Sequence, residues 1–117
     1  MRGVIGAILL SAAVHAGTAH FSLALAQEVR RSAVGYMDVT CDRWTASANS
    51  TQGTAYAAWV AGFLSGANLA ERAEDWLIDE DGTSIRRWIT EYCKAHPGET
   101  LGAAAVMLRQ ALQQRAR

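Results

Sequence analysis

Apolar residues recur at steps of three and four in three segments of the chain, which is the spacing of one face of an α-helix. The first segment predicts a helix from about residue 54 to residue 70. The second helix starts near residue 83 or 84 and ends before Pro97, and the third runs from about residue 100 to the C-terminus. Their apolar stripes comprise Tyr56, Trp59, Val60, Phe63, Leu64 and Ala67; Ile85, Trp88, Ile89, Tyr92 and Cys93; and Leu101, Ala104, Ala105, Leu108, Ala111 and Leu112.

The segments before these helices are shorter and more polar. A short helix is predicted at residues 40–44, with Thr40 as its candidate cap, and residues 45–53 are predicted as a loop or a weak helical turn. Residues 27–39 are predicted as a flexible lead-in. The pattern therefore predicts an all-α, single-domain helical bundle at residues 40–117, with three main helices and a short N-terminal helix.

The first main helix carries Gly62 and Gly66 on one side, four residues apart. A glycine inside a helix costs about 1 kcal/mol of helix propensity. We therefore expect another backbone to pack closely against this pair. The strongly apolar part of the segment is too short for a membrane span, so a buried core helix is the favoured interpretation.

The first 26 residues are typical of a secretion signal. Arg2 is followed by an uncharged, apolar stretch that ends in Ala24-Leu25-Ala26, the small residues that a signal peptidase recognises. We expect cleavage after Ala26 and a periplasmic or secreted mature chain that has no membrane span. An uncleaved N-terminal anchor is the alternative.

The two cysteines, Cys41 and Cys93, fit an exported chain, because disulfides persist in oxidising compartments. We expect them to pair and to close a loop of about 53 residues, which contributes roughly 4 kcal/mol in the chain-entropy model. Two separate buried thiols are the alternative.

Between the first two main helices lies an acidic segment, residues 71–81, which we call the acidic connection. Trp76, Leu77 and Ile78 interrupt its acids and are expected to pin it onto the core. It is either a solvated loop with one hydrophobic anchor or a contact surface for a basic partner. Its acidic residues are Glu71, Glu74, Asp75, Asp79, Glu80 and Asp81.

The four tryptophans are many for a chain of this size. Their helical phase places Trp59 and Trp88 in the core. For Trp44 and Trp76 the core is favoured over partner contact.

The composition gives little support for catalysis, for cofactor or metal binding, or for nucleic acid. After cleavage, eleven acidic and ten basic side chains remain, so the net charge is −1 with histidine neutral. His96 is then the single histidine, and we expect it to face solvent at a helix end. We expect a protein that binds other proteins.

One combination of motifs resembles the HdeA/HdeB-type periplasmic acid-stress chaperones and their relatives. It comprises Cys41 with Trp44, the segment 58–66 (AWVAGFLSG), the segment 88–93 (WITEYC), His96-Pro97, and Leu101 with Ala104-Ala105. The resemblance implies a small all-α domain with a Cys41–Cys93 disulfide. It also implies a homodimer at neutral pH that opens in acid and holds unfolding client proteins.

Acid would raise the net charge of the mature chain from −1 to about +11 and weaken its ion pairs. Apolar residues that opening would offer to a client are Trp59, Phe63, Leu64, Trp88 and Ile89. The alternative function is an immunity or inhibitor-type protein that occludes a secreted toxin or enzyme. Its docking surface would be acidic and would comprise Glu74, Asp75, Trp76, Asp79, Glu80 and Asp81.

Overall fold

A computed structural model describes residues 34–117, and this part of the chain is all-α with four helices. They are α1 (Cys41–Ala46), α2 (Thr51–Ala70), α3 (Gly82–Ala95) and α4 (Leu101–Arg115). The predicted helical bundle is confirmed. The signal segment and its cleavage site lie outside the described residues.

Side-chain caps set where three of the helices begin. Ser50 accepts a hydrogen bond from the Gly53 amide, so α2 starts three residues earlier than its apolar stripe predicts. Asp81 and Ser84 form a reciprocal capping box on α3, and Thr100 accepts from the Ala103 amide on α4. Thr40 precedes α1 as predicted, but its side chain makes no cap; its backbone pairs with Thr100.

The core lies between α2, α3 and α4, and α3 contacts each of the other three helices. No polar or charged residue among residues 34–117 is buried. The buried hydrophobic residues are Cys41, Trp44, Tyr56, Val60, Leu64, Trp76, Ile85, Ile89, Cys93, Leu101, Ala104, Ala105, Leu108 and Leu112. The predicted stripes therefore face one common core.

The burial of the four tryptophans differs from what helical phase predicts. Trp44 and Trp76 are 3% and 5% exposed, which confirms the core interpretation for both. Trp59 and Trp88 are only partly buried and pack against the core from its edge, so their prediction as core residues is wrong. They sit on the flank of their stripes, where a large ring extends beyond the helix contact.

The expectation of close packing at Gly62 and Gly66 is also wrong for the described residues. Both glycines are exposed, and a Cβ built at either position has no described neighbour within 4 Å. Close approach occurs instead at Gly53, against the Ser47 carbonyl, and at Gly102, against Met37. Within residues 34–117, none of the helices has the length and apolar character needed to cross a membrane.

Candidate functional site: the acidic connection and the cleft beside it

At one end of the bundle, a disulfide and backbone hydrogen bonds hold α1 in place. Cys41 and Cys93 form the predicted disulfide, which links α1 to α3 with a Cα–Cα distance of 4.8 Å. The Cys41 amide donates to the Glu99 carbonyl at 2.8 Å, and the Asp42 amide donates to the Pro97 carbonyl at 3.3 Å. We call this the disulfide end.

Residues 34–39, the described part of the predicted lead-in, pack across the same end; we call them the strap. The Trp59 indole donates to the Val34 carbonyl at 3.0 Å, and Tyr36 packs edge-on against Tyr56. Carbonyls of the strap also accept from the first two amides of α4, Leu101 and Gly102. These amides have no partner within their own helix, so the strap completes the N-terminus of α4.

The acidic connection closes the opposite end of the core. Trp76 is buried there, and its backbone amide donates to the Asn68 side chain at 3.2 Å. Asp75 accepts from the Asn68 side chain and from the Leu77 amide. The predicted hydrophobic anchor is confirmed for Trp76 and, in part, for Leu77, but it is wrong for Ile78, which faces solvent. Polar side chains position the rest of the connection.

Glu71 is the centre of these contacts. Its carboxylate accepts hydrogen bonds from the Trp76 indole at 3.1 Å and from the Gln113 side chain at 2.6 Å. It also forms an ion pair with Arg109. One carboxylate thus links the end of α2, the buried tryptophan and α4.

Glu80 makes the second link to α4, through an ion pair with Arg115. Its side chain is 10% exposed and also accepts from the Ser84 hydroxyl at 2.6 Å. Partial burial alone would raise the pKa of Glu80, but the Ser84 hydrogen bond and the Arg115 guanidinium outweigh it and hold the pKa below its ordinary value of 4.5.

Asp81, the capping residue of α3, behaves in the same way. The backbone hydrogen bond from Ser84 is the main cause that lowers the pKa of Asp81 below its ordinary value of 3.8. The Ser84 hydroxyl, the Thr83 amide and the charge of Arg87 act in the same direction. The bound, ionised forms of Glu80 and Asp81 therefore support the fold above about pH 4.

The rest of the connection faces solvent. Glu74 and Asp79 are exposed and accept no hydrogen bond from the described residues. Ile78, which lies between them in the sequence, is 76% exposed. Of the acidic surface predicted for partner docking, Glu74, Asp75, Asp79 and Asp81 are exposed, Glu80 is half-buried and Trp76 is buried.

A cleft of about 630 Å³ lies between α3 and α4, next to the connection. Its floor is apolar, and its rim carries charges of both signs. The floor residues are Trp88, Leu108, Ala111 and Leu112, and the rim residues are Asp79, Glu80, Ser84, Arg87, Glu91 and Arg115.

The apolar residues predicted to meet a client are divided between the core and its edge. Leu64 and Ile89 are fully buried. Trp59 and Phe63 stack on each other at the edge near the strap. Trp88 stacks on Tyr92 and lines the cleft. Of this set, Trp88 is the member that lines the cleft.

The described residues contain no group of histidine, cysteine or acidic side chains placed to hold a metal ion. His96 is exposed at the end of α3, where it stacks on Tyr92 and its Nδ1 lies 2.9 Å from the Tyr92 carbonyl oxygen.

The sequence analysis did not find the partners of the acidic connection. Arg109 and Arg115 of α4 pair with carboxylates that lie more than 30 residues earlier in the chain. The excess of acids in one segment and of arginines at the end of another was a usable signal for such pairs. Asn68 and Gln113 gave no comparable signal.

No protein-family model, curated protein or solved structure matches this chain.

Proposed function

We propose that this is a periplasmic or secreted acid-stress chaperone that opens at low pH and holds unfolding client proteins. The observation that carries the proposal is the way in which the acidic connection is held over Trp76. Its polar links to α4 are ion pairs and hydrogen bonds of Glu71 and Glu80, and protonation of either carboxylate would remove the charge on which its ion pair depends.

The sign of the pH effect follows from the lowered pKa values. Glu80 and Asp81 titrate at a lower pH in the folded chain than in the unfolded chain. Their contribution is complete above the ordinary values of 4.5 and 3.8, and it is lost as the pH falls through the lower folded values. At the same time the chain becomes more positively charged, and repulsion among its cationic side chains destabilises the compact state.

Opening would give a client access to apolar side chains that the closed form covers. Trp76 is the buried side chain of the connection itself, and Leu112 and Trp88 line the adjacent cleft. The disulfide would keep the opened chain compact, because it joins α1 to α3 away from the connection.

The test is an aggregation assay with a client enzyme that unfolds and aggregates at about pH 3. We expect equimolar protein to suppress light scattering at about pH 3 and to have no effect on a heat-aggregating client at pH 7. Tryptophan fluorescence recorded in parallel reports opening. A chain that opens at about pH 3 but leaves client scattering unchanged contradicts the proposal.

A second function, occlusion of a secreted toxin or enzyme, is favoured by one specific observation. Ile78 is 76% exposed and lies in a segment whose exposed side chains include Glu74 and Asp79. An apolar side chain with acidic neighbours fits a pocket that has a basic rim.

The two functions are separated at neutral pH. An occluding protein would bind one basic secreted enzyme and lose about tenfold in affinity on Ile78→Ala, as expected for removal of a buried interface anchor. The variant Leu69→Ala is the matched control, because Leu69 is an equally exposed apolar residue outside the connection. Equal affinities of the two variants contradict docking through Ile78.

A further inference from the structure

The two ends of the bundle are held by different kinds of bond. At the disulfide end, the Cys41–Cys93 bond joins α1 to α3, and hydrogen bonds between backbone atoms join segment 37–42 to segment 97–102. Titratable side chains are present there, namely Asp38, Asp42, Glu99 and His96. None of them makes a side-chain hydrogen bond between helices among the described residues. Protonation therefore removes none of the links at this end.

The acidic connection has the opposite construction. In the described part of the chain, no backbone–backbone hydrogen bond joins residues 72–77 to a helix. The connection is held by side chains of α2 (Asn68), α3 (Ser84, with the charge of Arg87) and α4 (Arg109, Gln113 and Arg115). Among the described residues, every hydrogen bond and ion pair from the connection to α4 ends on the carboxylate of Glu71 or Glu80.

We propose that acid opens the molecule at one end: the acidic connection detaches from α4 as a lid, while the disulfide end and the strap stay folded. This inference deepens the proposed function, on which it rests for its link to client binding. Lid opening withdraws Trp76 from the core and joins the space it leaves to the apolar floor of the α3–α4 cleft, where Leu112 lies. Trp59, by contrast, stays under the strap.

Pepsin tests this directly, because it is active at about pH 3 and cuts exposed chain beside apolar residues. We expect the first cuts of the oxidised protein to fall near Trp76 and Leu77. Such a cut lies between Cys41 and Cys93, so the two pieces stay together without reductant and separate on reduction. Mass spectrometry locates the cut. First cuts within α2 or α4, or at several helices at once, would overturn the inference.

Variants test the role of the two carboxylates at pH 7, where chymotrypsin replaces pepsin. The double variant Glu71→Gln, Glu80→Gln removes both charges, and we expect its cleavage near Trp76 to be at least about tenfold faster than in the unmodified chain. The matched control is Glu74→Gln, Asp79→Asn, which removes two charges of the same segment that accept no described hydrogen bond. Equal cleavage of the two double variants, each folded by circular dichroism, would overturn the inference.

The outcomes separate this inference from the proposed function. Lid cleavage in acid without protection of a client leaves the inference standing and removes the chaperone function. Protection of a client by a chain that pepsin cuts throughout leaves the chaperone function standing and removes the lid. The pepsin experiment uses the unmodified chain, so it decides the matter even if a variant fails to fold.

Discussion

At the scale of single residues, the glycines show how far local sequence determines local structure. Gly53 and Gly62 both lie in α2, and helix propensity treats them alike. Their surroundings differ completely. A Cβ at Gly53 would collide with the Ser47 carbonyl oxygen, whereas a Cβ at Gly62 meets no described atom. Sequence spacing pointed to the wrong glycines because the turn at residues 47–50 folds back on the start of α2.

This contrast gives a prediction within one helix. We expect Gly53→Ala to destabilise the chain by about 1–3 kcal/mol, because backbone atoms must move to admit the methyl group. We expect Gly62→Ala and Gly66→Ala each to stabilise it by about 0.5–1 kcal/mol through helix propensity. Urea unfolding followed by circular dichroism measures both effects. Destabilisation by Gly62→Ala would mean that another chain or segment packs on this face of α2.

At the scale of elements, the helices were predictable and their polar connections were not. Periodicity placed α2, α3 and α4 within three residues of their observed bounds, because each buries one apolar stripe. The burial of Trp76 and the pairing of Glu71 with Arg109 depend on how α2 and α4 meet in space. That information is not local, so a reading of each segment by itself cannot supply it.

The link between the acidic connection and α4 gives a pH prediction. We expect Glu80→Gln to lower the melting temperature at pH 7, because the ion pair with Arg115 and the charged hydrogen bond from Ser84 are lost. The difference from the unmodified chain should shrink as the pH falls below 4.5, since Glu80 then takes up a proton in the unmodified chain as well.

Asp79→Asn is the matched control for this measurement. Asp79 is the neighbouring acid, is exposed and accepts no described hydrogen bond. We expect its melting temperature to follow that of the unmodified chain at every pH. A Glu80→Gln difference that stays constant down to pH 2 contradicts the assignment of Glu80 as an acid-sensitive link.

At the scale of the whole molecule, the disulfide determines how far the chain can open. Cys41 and Cys93 are 52 residues apart, and the bond encloses α2 and the acidic connection. The pairing was predictable because the chain has only two cysteines and begins with a segment whose pattern predicts export. In the chain-entropy model, a loop of this length contributes roughly 4 kcal/mol.

Removal of the disulfide is therefore a strong test of the molecular account. We expect Cys41→Ser, Cys93→Ser to lower the free energy of unfolding by roughly 4 kcal/mol, a large share of the 5–15 kcal/mol typical of a domain. Urea titration with and without reductant measures the change. In acid, we expect the variant to be cut by pepsin throughout, since the disulfide end has lost its covalent link. Unchanged stability would show that the backbone hydrogen bonds hold that end without the disulfide.

The central claim is that loss of charge at Glu71 and Glu80 converts the closed chain into one that holds clients. The most direct test removes the two charges by substitution while the pH stays neutral. At pH 7, folded Glu71→Gln, Glu80→Gln protein should suppress the scattering of a heat-aggregating client, while Glu74→Gln, Asp79→Asn protein and the unmodified chain should not. A double variant whose connection is open to chymotrypsin, yet which leaves client scattering unchanged, would contradict the account.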